Sequence, residues 1–192
     1  MYHTNVKQSW LLLLIFILCS RHSLAQISRG QWLTGGNAAF SSYKFYTDKI
    51  TSISASPSAG YFFLNHLAAG VRVGYNFQSD SYPSNPKSTI TFISILPFVR
   101  YYFLPAEQPI NLFADAGYGY SFGKYKTANY PDLKYNSSII SIKAGPVLFL
   151  NPHTSLELTF GYDHSIAGHL GDTLAVNSFQ VGVGFQIHLG RR

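Results

Sequence analysis

The sequence predicts an all-β chain, an eight-stranded antiparallel up-and-down transmembrane β-barrel, and three observations carry that prediction. The first lies near the end of the chain. From Ser178 to Leu189, Phe179, Val181, Val183, Phe185, Ile187 and Leu189 alternate without a break with Gln180, Gly182, Gly184, Gln186 and His188. A period of two belongs to a strand whose faces meet different solvents. Its polar row is rich in Gly and Gln and carries no Asp, Glu, Lys or Arg, which suits an enclosed lumen better than bulk water. The second observation is that such stripes recur at the length a membrane-crossing strand needs, about 9–11 residues. The third is that charges within the stripes fall on one row only.

Eight strands follow in order: 32–43, 52–63, 66–78, 89–104, 110–124, 138–150, 154–165 and 178–189. The first, which holds Gly35-Gly36, and the second alternate least clearly. In the third, Leu67, Ala69, Val71, Val73, Tyr75 and Phe77 form the outward row, so Arg72 points into the lumen. In the fourth, Val99, Tyr101 and Phe103 turn outward and Arg100 inward. The fifth sends Ala114, Ala116, Tyr118, Tyr120 and Phe122 out and Asp115 in. The sixth turns Ile140, Ile142, Ala144 and Leu148 out and Lys143 in. The seventh turns Leu156, Leu158, Phe160 and Tyr162 out, with Glu157 and Asp163 inside. A Lys or Arg facing lipid at mid-membrane costs about 2–4 kcal/mol, so this confinement is what a barrel requires. Arg72, Arg100, Asp115, Lys143, Glu157 and Asp163 are therefore expected to form one lumenal ion network, three cations against three anions, as a low-dielectric space demands.

The connections alternate in character. Leu64-Asn65, 105–109 (PAEQP) and Asn151-Pro152-His153 are short turns built on Asn and Pro. The stretches 44–51, 79–88, 125–137 and 166–177 read as longer polar loops. Short periplasmic turns opposite longer external loops are the asymmetry of outer-membrane barrels, and an even strand count places both termini in the periplasm. Aromatic residues make up 16% of the chain. They gather toward both strand ends, at Tyr75, Phe77, Tyr118, Tyr120, Phe122 and Tyr162 on one side and Phe63, Tyr101 and Phe103 on the other. By parity these rings face lipid, as two girdles at headgroup depth, whereas Phe149 faces inward.

The N-terminus supports the same compartment. Lys7 precedes the apolar run Trp10–Cys19 (WLLLLIFILC), and Ser23-Leu24-Ala25 offers small residues at the cleavage positions. A run of ten is far short of the ~20 residues a spanning helix requires, so residues 1–25 read as a secretory signal peptide and 26–192 as one barrel domain. Cys19 leaves with the signal. Its neighbours Ile17 and Leu18 are too large for a lipidation site, so the mature chain is expected to contain no thiol. That excludes disulfides, thiol catalysis and thiolate metal sites. Removing Lys7 and Arg21 from the 14 basic residues leaves 12 against 8 acidic ones. No basic run or groove motif accompanies this surplus, so nucleic acid is not an expected partner. Five lysines (Lys44, Lys49, Lys87, Lys126 and Lys134) fall in the loop stretches and Lys124 ends the fifth strand beside one, where anionic lipopolysaccharide is their natural counterpart.

The chain resembles the small outer-membrane β-barrel family, the OmpA/OmpX-like or "porin family" barrels of Gram-negative bacteria. The carriers are Gly35-Gly36, 69–75 (AGVRVGY), 96–103 (LPFVRYYF), 114–119 (ADAGYG) and 182–185 (GVGF). The resemblance covers the mature chain and implies an outer-membrane location, contact with outer-membrane lipid and dependence on the barrel insertion machinery. The Ala25–Gln26 junction is similar to that of Bacteroidetes exports. One departure is the end: such barrels usually close on an aromatic residue, whereas this chain continues through Leu189-Gly190-Arg191-Arg192.

Chemistry is sparse. Tyr162-Asp163-His164-Ser165 loosely resembles the His-containing motif of lipid A deacylase barrels, in which Ser, His and an acid act together. Adjacent strand residues point to opposite faces, so His164 cannot activate Ser165, and Asn177 stands where the acidic partner would be expected. No catalytic residue is assigned. His153, His164, His169 and His188 lie at different heights or faces without ligand spacing, so no metal site or cofactor is expected. Gly117, Gly119, Gly123, Gly182 and Gly184 sit on inward rows, where they are expected to make room for the charged side chains. Three function classes remain. The leading one is a non-enzymatic barrel with a structural role or a surface role that binds an extracellular ligand through its loops. The others are a narrow pore for small solutes or ions and a lipid A-modifying enzyme.

Overall fold

The computed structural model describes residues 27–45, 48–82, 85–128, 130–169 and 172–190. The predicted signal peptide, with Gln26, lies outside them. The strands are β1 (Trp32–Phe45), β2 (Asp48–Leu64), β3 (Leu67–Tyr82), β4 (Asn85–Tyr102), β5 (Ile110–Thr127), β6 (Leu133–Asn151), β7 (Thr154–His169) and β8 (Asp172–Leu189). Each pairs antiparallel with its sequence neighbours, and β1 meets β8 to close the barrel. No helix among the described residues is long and apolar enough to cross a membrane, which says nothing against strands.

Where the sequence suggests four long loops, the structure has strand. Pairing runs on through Lys44↔Lys49, Asp80↔Ser88, Lys124↔Lys134 and Gly168↔Thr173. Apolar alternation stops there, but backbone N–H and C=O groups still gain partners by continuing the ladder. The five lysines expected in loops therefore sit on strands, as Lys124 does. The end carrying the three short turns, called here the near end, departs in detail. Leu104 lies past the end of β4, and His66 belongs to a turn with a left-handed φ of 67°.

The outward rows are apolar and exposed, from Val71, Val73 and Tyr75 on β3 to Leu156, Leu158 and Phe160 on β7. An exposed apolar belt around a closed sheet is a lipid-facing surface. The buried hydrophobic core is instead inside the barrel at its near end. Ile27, Leu33, Phe62, Ala68, Tyr102, Phe113, Val147 and Phe149 form one cluster. The segment before β1 completes it: His66 N–H donates to Ile27 O and Gly30 N–H to Phe62 O, at 2.9 and 2.8 Å. These bonds hold Ile27 within the cluster.

The inward glycines do not serve as the sequence suggests. A Cβ at Gly119 would meet the β4 backbone at Ile95 and Leu96, and one at Gly123 would meet the Tyr135 ring. Only Gly184 borders a charged chain, Glu157. The others let neighbouring backbones or rings approach closely, or, at Gly182, leave open lumen.

Candidate functional site: a sealed lumen

Toward the near end of the barrel, β3, β4, β5, β6 and β7 each turn a buried charge inward. Arg100 lies opposite Asp115, and Asp115 opposite Lys143. Arg100 is the hub. Its Nε and Nη2 donate to Asp115 Oδ2 at 3.2 and 2.8 Å, and its Nη1 donates to Glu157 Oε1 at 2.6 Å. Arg72 Nη2 donates to the same Asp115 oxygen at 2.9 Å. Gln186 Nε2 donates to the second oxygen of Glu157 at 3.3 Å. All of these side chains are buried. Burial this deep is tolerable only because each ion is paired and hydrogen-bonded.

Two residues expected in the network stand apart from it. Lys143 is buried in the same layer, but its ammonium makes no ion pair within 4 Å among the described residues. Asp163 lies higher and accepts a 2.6 Å bond from Gln180 Nε2. Its row is correct; its height is not, because it pairs across β6 with Ser141 while Lys143 lies opposite Gly161. Arg72 Nη1 and Gln186 Oε1 have no protein partner. Both residues border a cavity of about 20 Å³, room for one water.

A second seal lies just below, on the near-end side. Arg100 stacks on Phe113 with its guanidinium carbon 4.2 Å from the ring centroid, and Arg72 on Phe98 at 4.8 Å. Beneath them, His188 lies among Phe62, Tyr102 and Phe149, with ring centroids 5.3–6.2 Å apart. Its Nε2 is 3.4 Å from Ser155 Oγ. Phe62, Tyr102 and His188 are each 0% exposed, so no water-filled path crosses this layer. Sequence reasoning missed the plug, although its signal was present: Phe62, Phe98, Tyr102, Phe113 and Phe149 occupy rows of inward parity, where a water-filled pore would place polar groups.

The far half of the lumen is hollow. One cavity of about 350 Å³ is bordered by Asn37, Ser54, Asn76, Ser94 and Gln180. A larger one of about 730 Å³ at the mouth shares Asn76, Phe92 and Ser94 with it. The barrel is thus a cup, open at one end and stopped at the other.

The motif at 162–165 is divided between the two faces of the sheet. His164 lies on the outward row, where its Nδ1 is 2.6 Å from Asn177 Oδ1, which also accepts from Tyr162 OH at 2.9 Å. Ser165 faces the lumen, beside the mouth cavity. No group of His, Cys, Asp and Glu that could hold a metal occurs among the described residues.

Comparison with curated proteins finds no match. Among solved structures the chain is similar to Neisserial surface protein A (NspA), with 17% identity over 82% of this chain and 96% of that one and a TM-score of 0.54. It is also similar to the outer membrane protein OprG from Pseudomonas aeruginosa, with 12% identity, coverage of 85% and 98%, and a TM-score of 0.51. At such identities the likeness speaks for the fold alone. The model of the outer membrane protein beta-barrel domain matches residues 11–186. With nearly the whole barrel inside that match, the chain belongs to the outer membrane protein beta-barrel domain family.

Proposed function

We propose that this protein is a non-enzymatic outer-membrane barrel, closed to solutes, that serves the envelope as a structural and surface-interacting element. The observation that supports it is the double stop in the lumen: an ion network on Arg100, then an apolar plug with no exposed atom on Phe62, Tyr102 or His188. Eight-stranded barrels are normally filled by their own side chains, and this one is filled at one end. The near end, with both chain ends and the short turns, faces the periplasm in this reading, and the cup opens outward.

The lysines favour lipopolysaccharide as the outer partner. By strand parity all six lie on outward rows beyond the apolar belt. Lys44 lies opposite Lys49, and Lys124 opposite Lys134. Like charges directly across a ladder destabilise it unless an anion lies between them. Asp132 supplies one beside Lys124, and phosphate groups at headgroup height supply them for Lys44 and Lys49. Insertion into the membrane rests on the barrel insertion machinery, as for other proteins of this architecture.

Planar-bilayer recording of refolded protein tests the reading, with acyl release from lipid A assayed on the same preparation. The expected result is at most rare, brief openings and no released fatty acid. A large steady conductance would promote the pore reading, and acyl release abolished by His164→Ala would promote the enzyme.

A further inference from the structure

The wall of the barrel is incomplete on one side. β1 pairs with β2 along its whole length, from Trp32↔Tyr61 to Phe45↔Asp48, but with β8 only from Trp32↔Leu189 to Gly36↔Phe185. Beyond Gly36 the facing edges of β1 and β8 carry no ladder. The local cause is readable. Gly36 has a φ of 147°, open to glycine and poorly to other residues, and lies opposite Pro57, which has no N–H. The irregular backbone there steers β1 away from β8.

Exposure of the outward row marks the slit. Phe40 and Phe179 are 70% and 71% exposed and Val183 64%, against 44% for Val71 and 54% for Tyr120 and Ile142 on fully paired strands. The 350 Å³ cavity adjoins the slit: Ala38 and Ala39 of β1 and Val181 and Val183 of β8, all past the last rung between the two strands, border it. Deeper in, the mouth cavity departs from the polar lining usual in such lumens. Phe92, Tyr125, Tyr135, Ile139 and Val176 border it, with Phe92 and Tyr135 edge-to-face at 5.4 Å. Each cavity lies within the range of small-molecule sites, about 300–1,000 Å³.

We infer that the far half of the lumen is a binding site for a single-chain amphiphile of the fatty-acid type, which reaches it sideways from the outer leaflet between β1 and β8. Phe40 and Phe179 place the slit at the height of lipid chains. Its serine, asparagine and glutamine edge accepts a polar head, and the aromatic lining accepts an apolar chain. A bare strand edge in hydrocarbon is costly, so the slit needs either an occupant or a closed state. Closure is available: continuing the β1/β8 register sets Ala38 opposite Val183. A strand from a second copy would satisfy the edges but leave the cavity behind them unfilled. The inference takes from the preceding reading only the orientation in the membrane and is independent of whether the barrel conducts.

Spin-labelled stearate added to protein in phosphatidylcholine vesicles tests it by electron paramagnetic resonance. A saturable immobilised component is expected, displaced by unlabelled fatty acid and unaffected by excess two-chain phospholipid. Gly182→Phe fills the cavity at a position where a Cβ meets nothing nearer than Asn37 Nδ2 at 3.5 Å. It should weaken binding at least about tenfold, while Lys126→Met leaves it unchanged. A disulfide joining Ala38→Cys and Val183→Cys should zip the slit and block binding, with recovery on reduction. The inference is overturned by the absence of a saturable component, by full binding in Gly182→Phe or the locked protein, or by cysteines that link two chains instead of one. Phospholipid competing as well as fatty acid would identify the site as one for bulk lipid and would also overturn it.

Discussion

Arg100 donates to Asp115 and Glu157 at once, and both carboxylates lose a close cation if it is removed. Breaking a buried pair from one side costs about 3–5 kcal/mol, because the remaining charge is stranded. Arg100→Met should therefore lower stability by that order in urea unfolding from lipid vesicles, while Lys126→Met, on the exposed rim, stays close to the parent. Equal stability of the two would mean that water fills the network layer. The rim has its own ion pair, Lys124 Nζ to Asp132 Oδ2 at 2.7 Å. The hydrogen bond from Lys124 holds the Asp132 carboxyl below the ordinary carboxylate range, against a smaller opposing effect of desolvation. A depressed folded-state value means that the pair stabilises its turn above the unfolded value and lets go as pH falls through the folded one. An NMR titration of the Asp132 carboxyl should therefore give a lower midpoint in the parent than in Lys124→Met.

The strands β4, β5 and β7 carry both seals on consecutive inward positions: Arg100 with Tyr102, Asp115 with Phe113, and Glu157 with Ser155. The ionic layer and the apolar layer therefore stand in series along the same strands. Opening one leaves the other in place. Arg100→Ala alone, and Tyr102→Ala alone, should each keep a low conductance, whereas the double variant should conduct clearly more than either. A single substitution that opens the barrel fully would show that one layer alone is the barrier. The same strands also explain the missing loops. Residues past the apolar belt keep pairing because each added ladder rung satisfies two backbone groups, whatever the side chains are. Hydropathy could not mark where these strands stop, since beyond the lipid both rows become polar.

The closed barrel as a unit should resist detergent. Every strand buries its backbone in two ladders apart from the β1/β8 seam, and such a ladder unzips cooperatively. Unheated protein in sodium dodecyl sulfate should migrate differently from boiled protein, and its circular dichroism should show strand with little helix. A helical spectrum would contradict the fold. The seam is the weakest contact of the wall, so substitutions at Gly36 should lower the temperature of that mobility shift more than ones at paired positions such as Thr91.

Strand number, antiparallel order, lipid-facing rows and the inward parity of Arg72, Arg100, Asp115, Lys143, Glu157 and Asp163 were all determined by local sequence, because a period of two and the cost of charge in lipid act strand by strand. Height was not. Whether two inward charges meet depends on the register of neighbouring strands and on closure of the sheet: register set Arg100 opposite Asp115, closure brought Glu157 to Arg100 across the lumen, and Asp163 was left with Gln180. The plug was half legible: its aromatics stood on inward rows, but only closure of the sheet could show that Phe62, Tyr102, Phe149 and His188 converge on one point of the axis. The slit was least legible of all, since Gly36 and Pro57 mark an irregularity, and only the way β1 returns to β8 decides that the wall parts there.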